Sequence, residues 1–270
     1  MLVLIRGAGD IATGIALRLY RAGLRVVMTE TASPTAIRRT VAFSECVRTG
    51  ETRVEDVTAR RARVEEVPAF LARGIVPVLV DPEGSCIPRL CPEAVVDAIL
   101  AKRNLGTRIN DAPVVVGVGP GFTAGEDCHA VVETMRGHTL GRVIYRGSAL
   151  PNTAVPGLIG GFAGERVLRA PADGVFHPLR EIGALVEAGE TVAQVAGEPM
   201  RCTISGVLRG ILPEGTPVRR GMKAGDVDPR GEKANCTTAS DKALAVGGGV
   251  LEAILHLSGA LRGPEQTKEE

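Results

Sequence analysis

Two glycine-rich stretches carry the residues best suited to chemistry. In "IRGAGDIATG", Gly7, Gly9 and Ala12 form a G-x-G-x-x-A pattern directly after the apolar run "LVLI" (2–5). Each position has a task in a phosphate-binding loop. Gly7 permits a tight turn off a strand, Gly9 lets a pyrophosphate approach the backbone, and Ala12 lets the next helix lie close to a sheet. Ala8, Asp10, Ile11 and Thr13 complete the loop and the first helical turn, where free amides and the helix dipole favour an anion. Glu30 closes the next apolar run, "RVVMT" (25–29), about 20 residues on, where a carboxylate would accept from a ribose hydroxyl. In a chain with 34 glycines a structural glycine turn is the competing reading. Asp10 beside the phosphate position either turns away to cap the helix or holds a metal or a non-phosphate group. Arg38 and Arg39, in "PTAIRRT", either reach a second anion or lie on a solvated helix face.

The second stretch, "VVVGVGPGFTAGEDCHAVVETMRG" (114–137), repeats the logic of strand, loop and helix. Gly119 and Gly121 would line the other half of a crevice at the carboxyl ends of parallel strands. Phe122 would lie against a flat ring and Thr123 would hydrogen-bond it; a purely structural loop is the alternative. His129 and Glu133 fall at i, i+4 on the expected helix, with Cys128 and His138 nearby, but no third metal ligand is fixed. A packed histidine is the simpler reading, and no metal site is assigned. Asp97 and Lys102 follow the run "AVVDAI" (94–99), at the crevice edge, as a proton-transfer pair or a salt bridge. Asp97, Lys102 and His129 are thus the candidate catalytic groups. No G-x-S-x-G, Walker A or H-E-x-x-H pattern is present.

These residues need a scaffold. Residues 1–160 alternate short apolar runs (2–5, 25–29, 75–80, 94–99, 113–118, 142–145) with helical stretches at 10–23, 34–50, 64–74 and 127–137. Runs apolar at consecutive positions fit strands covered on both faces. The pattern predicts a Rossmann-like doubly wound parallel sheet. Residues 165–230 differ, with turn glycines and valines at short intervals and a gapless repeat at an offset of 32 residues. Gly174-Val175 returns as Gly206-Val207, Val186 as Val218, Gly189 as Gly221 and Val195 as Val227. Two such halves resemble the barrel-sandwich hybrid of biotinyl and lipoyl carriers. Arg201 stands where a carrier lysine would be, and a guanidinium stays protonated, so neither biotin nor lipoate is expected. Residues 231–270 hold a helix capped by Ser240 that packs back on the first domain, then a polar tail.

A net charge of +1 and 3% aromatics offer neither an electrostatic nor a stacking platform for nucleic acid. No apolar run reaches the roughly 18–20 residues that span a bilayer. The opening "MLVLIRGAGD" lacks a signal-peptide pattern, and six scattered cysteines without a C-x-x-C pair suit a reducing cytoplasm. Cys86 and Cys91 alone are weak metal ligands. A symmetric homodimer is the default for such a fold.

Six blocks point further: "IRGAGDIATGIALRLYRAG", "PTAIRRTVAFSE", "VDAILAKRNLGT", "GVGPGFTAGED", "ETMRGHTLGRVIYRG" and, toward the end, "GDVDPR" with "SDKALAVGGGVLEAIL". Together, from about residue 4 to about residue 255, they resemble the YqeB family, accessory proteins of the selenium-dependent molybdenum hydroxylase system. The resemblance implies a maturation factor for such hydroxylases, with the hydroxylase or its other maturation proteins as partners. It carries no catalytic residues over. Joined to the glycine loops, it suggests an α/β crevice holding a nucleotide, either NAD(P) or the molybdopterin dinucleotide. An NAD(P)-dependent oxidoreductase and a non-catalytic scaffold docking through the β-domain are the alternatives.

Overall fold

The structure, a computed structural model, describes residues 1–153 and 157–261. Its larger part is built on β1 (Leu2–Arg6), β2 (Arg25–Glu30), β3 (Glu51–Val54), β4 (Val57–Ala62) and β5 (Val76–Val80). β6 (Ala94–Asp97), β7 (Val114–Val118), β8 (Ala130–Val132) and β9 (Val143–Ile144) complete one sheet, in the order 3-4-5-2-1-6-7-8-9. From β4 to β8 the pairs are parallel, while β3 and β9 close the edges antiparallel.

The strands are apolar at successive positions because both faces are covered. Val3 and Ile5 of β1 enter one buried cluster; Leu2 and Leu4 enter the opposite one. The first face lies under α1 (Asp10–Arg21), α2 (Glu45–Thr49) and α5 (Asp241–Ser258); α3 (Val67–Ala72) and α4 (Ile87–Leu90) contribute to the other. Helices α1 and α5 approach so closely that a Cβ on Gly14 would overlap Ala243, and α5 sits so close to the turn between β8 and β9 that one on Gly249 would overlap the Gly141 carbonyl. The Ser240 hydroxyl caps α5 by accepting from the Ala243 amide at 3.2 Å. Among the described residues no helix is long and apolar enough to cross a membrane.

The smaller part contains β10 (Val167–Arg169), β11 (Gly174–Pro178), β12 (Leu185–Val186) and β13 (Thr191–Val195), followed by β14 (Glu198–Arg201), β15 (Gly206–Ile211), β16 (Pro217–Val218) and β17 (Lys223–Asp228). They form two four-stranded sheets, in the orders 10-17-15-12 and 14-13-11-16, with every pairing antiparallel. The sequence repeat reappears as an exchange. β11 pairs with β16 and β13, while β15 pairs with β12 and β17. Phe176 and its repeat partner Leu208 are both fully buried in the shared core. Ile37, from the larger part, joins that core and accepts from the Ile211 amide at 2.9 Å, which ties the two parts together.

The fold expectation is corrected accordingly. A Rossmann-like doubly wound parallel sheet with a barrel-sandwich hybrid gives way to a mixed nine-stranded sheet, two four-stranded antiparallel sheets and a C-terminal helix. Beyond β6 the helical alternation stops: residues 98–113 and 119–129 contain no helix, and the cover on that half comes from α5. The helix expected over 127–137 is instead strand β8, since Ala130, Val131 and Val132 bury both faces beside β7. The helix expected over 34–50 is reduced to a 3-10 turn at Arg39–Val41 and the short α2. The polar tail at 263–270 lies outside the described residues.

Candidate functional site: a cationic cleft beside a closed glycine loop

The first glycine loop leaves β1 through Gly7, whose φ of +96° suits a residue without a side chain. A Cβ there would lie 2.9 Å from the Ala98 carbonyl. The loop is largely satisfied by protein. Gly7 donates to the Thr29 carbonyl, Ala8 donates to Glu30 Oε2 at 3.0 Å, and the Ala8 carbonyl accepts from the Ser44 amide at 2.8 Å. Glu30 Oε1 accepts from the Thr31 amide at 2.8 Å, so the carboxylate expected to take a ribose holds its own loop. Thr13 is fully buried and accepts from the Phe43 amide, while Ala12 is packed inside. Only the helix end faces a cavity: Asp10 and Ile11 line a small pocket, and Gly9 has open space where a side chain would go. Asp10 accepts from the Ile11 amide and pairs with Arg38 at 3.1 Å.

The second glycine loop turns inward. Phe122 is 5% exposed and lies over Gly117, where a Cβ would meet its ring at 2.5 Å. It therefore has no face to offer a ligand. The Thr123 amide donates to Asp127 at 2.8 Å and its hydroxyl bonds Ser148 at 3.1 Å. Gly119 donates to the Val132 carbonyl, and Gly121 packs on the backbone of Arg103. From this loop Pro120 reaches a cavity.

The candidate catalytic groups are not brought together. Asp97 is 2% exposed, accepts from Thr107 Oγ1 at 2.6 Å and lies 3.7 Å from Arg6. Burial raises its pKa against the pull of Thr107 and Arg6. Lys102 is exposed and does not pair with it. His129 Nδ1 accepts from the Val115 amide at 3.0 Å, a bond that holds the edge of β7. With β8 in place of the helix, His129 and Glu133 are not neighbours one helical turn apart. Among the described residues no group of three His, Cys, Asp or Glu side chains could hold a metal, and all six cysteines are free thiols.

What the fold does bring together is positive charge. A cleft of about 470 Å³ lies where the strand ends, the start of α5 and the smaller part meet. Its walls include Arg38, Lys102, Arg136, Arg166, Arg169, Arg209, Lys223 and Lys242, against the carboxylates of Glu133 and Asp226. Both carboxylates are committed to protein. Glu133 accepts from the Thr134, Met135 and Leu150 amides. Asp226 takes Arg209 at 2.8 Å, Arg166 at 3.4 Å and Arg38 at 3.7 Å. Arg136 is held by Asp241 in two bonds, which keep that carboxyl well below its usual range.

Lys102, Lys223 and Lys242 are three of the chain's five lysines. None of them pairs with a carboxylate among the described residues. Desolvation by the cleft walls lowers the pKa of Lys223; the same effect, reinforced by Lys102 and Arg136, lowers that of Lys242. Among the described residues Arg169 likewise has only the Gly221 carbonyl as partner. Of these groups only Arg38 and Lys102 stood out in the sequence. The rest are scattered between Arg136 and Lys242, and the one available signal was the scarcity of lysine.

The molecule is thus an α/β protein with a β-rich appendage and a cationic cleft at their junction. No protein-family model matches the chain. It is 53% identical over 269 residues, 99% of its length, to the uncharacterized protein YqeB of Escherichia coli strain K12, covering 49% of that protein. The chain is thus similar to YqeB and spans about half the length of the curated relative it matches. Solved structures resemble it distantly. An aspartoacylase family protein from Mesorhizobium loti is 11% identical with a TM-score of 0.28, over 84% of each chain. The ectoine utilization protein EutE from Ruegeria pomeroyi is 12% identical with a TM-score of 0.25, again over 84% of each chain. Likeness at this level carries no conclusion about chemistry.

Proposed function

We propose that the protein binds a phosphate-bearing small molecule of nucleotide type in the cationic cleft, acting as an accessory factor and not through a catalytic group of its own. One observation carries this reading: Lys102, Arg169, Lys223 and Lys242 converge on one cavity without a carboxylate partner among the described residues. Gathering like charges is unfavourable unless a counter-charge is bound, and the helix starts at Asp10 and Ser240 add positive dipole ends. The YqeB relationship suggests a biological setting, the maturation of selenium-dependent molybdenum hydroxylases, with a nucleotide or the nucleotide form of the molybdenum cofactor as the bound molecule. Such a factor would hand its ligand to a hydroxylase docked at the cleft mouth.

Native mass spectrometry tests this on protein made in a host that synthesises molybdenum cofactor. A bound mass present in the wild type and lost in a Lys102→Glu, Arg169→Glu variant of unchanged Tm is the expected result. The mass identifies the ligand. No bound mass, together with no binding of added nucleotides, would refute the reading.

A further inference from the structure

We propose that Lys242 is a nucleophilic amine that holds an anionic aldehyde or ketone in the main cleft as an imine. This rests on the reading that the cleft takes an anionic ligand, and it adds how such a ligand is retained.

Like charges crowded around a cavity are relieved by a bound anion or by loss of a proton. Arginine keeps its proton at any physiological pH, so on this wall only the lysines have the second route. Lys242 is the best placed of the three. It stands in the first turn of α5, after Ser240 and Asp241, where the positive end of the helix dipole disfavours an ammonium. Arg38 from the loop after β2, Lys102 from the loop after β6 and Arg136 from the turn after β8 line the same cavity. The carboxylates around it are already taken. Asp10 pairs with Arg38 at 3.1 Å, Asp241 holds Arg136 in two bonds, and Asp226 is shared by three arginines. Desolvation of the half-buried Lys242 lowers its pKa, and Lys102 and Arg136 push the same way against the pull of Asp10. Lys102 is exposed, and Lys223 has Asp226 on its own strand to favour its charged form.

The step balances without a co-reactant. Lys242 enters as the neutral amine, its proton having gone to solvent, and its lone pair attacks the carbonyl carbon. The carbonyl oxygen takes the two amine hydrogens and leaves as water, so that a C=N bond replaces C=O. The arginines of the wall stay protonated and hold the ligand's anionic group.

Borohydride trapping on the full chain with pyridoxal phosphate, which joins an aldehyde to a phosphate, tests this by peptide mass mapping. At neutral pH the reduced adduct should form at Lys242 about tenfold or more faster than at the exposed Lys233, because one unit of pKa is a tenfold change in free amine. Lys242→Arg should abolish that adduct and leave reversible binding of pyridoxal phosphate, read by equilibrium dialysis, in place. Acetic anhydride is neutral and separates amine reactivity from attraction of the phosphate; it should acetylate Lys242 down to a lower pH than Lys233. An adduct confined to Lys102 or Lys223, or acetylation of Lys242 with the same pH dependence as Lys233, overturns the proposal. Pyridoxal phosphate bound without an adduct overturns the imine and leaves the cleft reading standing. No binding at all overturns the imine as well, and the cleft reading then stands or falls on native mass spectrometry.

Discussion

The glycine loop at the start of the chain and the cleft beside it differ in where their hydrogen-bonding capacity goes. In the loop, Ala8, Glu30, Thr13 and Ser44 are turned on one another, and Phe43 is buried against them. In the cleft, three lysines and Arg169 face open volume without a carboxylate partner among the described residues. A pattern that reads as a ligand site is therefore spent on holding β1, α1 and β2 together. Residues with no pattern at all make up the surface that a ligand can reach. Internal satisfaction of polar groups decides which is which: a donor already paired at 3.0 Å gains little from a phosphate, whereas an unpaired ammonium gains much.

The cleft wall depends on the buried Arg209, Asp226 and Asp228 cluster, where the largest effect is expected. Arg209→Met should cost about 3–5 kcal/mol in urea unfolding, because it strands two carboxylates of 2% exposure or less. A loss below about 1 kcal/mol would mean that Arg166 and Arg230 suffice to hold them. Next in size is Gly249→Val, which drives a side chain into the Gly141 carbonyl and should destabilise the packing of α5 on β8 and the turn after it by about 1–3 kcal/mol.

The same cluster gives a pH signature. Burial pushes the Asp228 carboxyl up, but Arg230 and Arg209 outweigh it and hold the pKa at about 2, against 3.8 for an ordinary aspartate. A depressed folded pKa contributes stability above the unfolded value, and that contribution is lost as pH falls. Unfolding free energy should drop by about 2 kcal/mol between pH 4 and pH 2 from this group, and Asp228→Asn should flatten that stretch of the curve. A curve of unchanged slope in the variant would assign the acid limb to other carboxylates.

The smallest effects sharpen the contrast most. Gly9 has a φ of −68°, sits at the N-cap of α1 and has empty space around it. Gly9→Ser should therefore be neutral or stabilising by a few tenths of a kcal/mol, as capping serines are. Glu30→Gln should cost about 1 kcal/mol by weakening its bonds to Ala8 and Thr31, yet leave ligand affinity in the cleft unchanged. If Glu30→Gln abolished nucleotide binding at constant Tm, the loop would be a binding site after all and the comparison would collapse.

Much of the framework was legible because its causes are local. Runs such as Val114–Val118 bury side chains on both faces, and only a covered strand supports five apolar positions in succession. The 32-residue repeat marked two similar β-halves, which share one core in the smaller part, and Ser240 marked the start of α5 through its own hydroxyl. Segment 127–137 misled because its apolar positions suit either a helix or a short strand; pairing of Ala130–Val132 against β7 decided for the strand. Phe122 misled because nothing local tells an aromatic facing a ligand from one covering Gly117.

The sequence by itself determined the two-part organisation, the apolar strands and the kinship with YqeB. Only the tertiary structure decided where the charges meet. A net charge of +1 hides a local excess, because most of the carboxylates that balance it are paired or lie elsewhere. Arg38, Lys102, Lys223 and Lys242 come from four distant segments. They converge because Ile37, in the loop after β2, bonds to β15 and α5 returns to α1. Coulomb interactions act through space and not along the chain, so a cleft made this way leaves no motif behind.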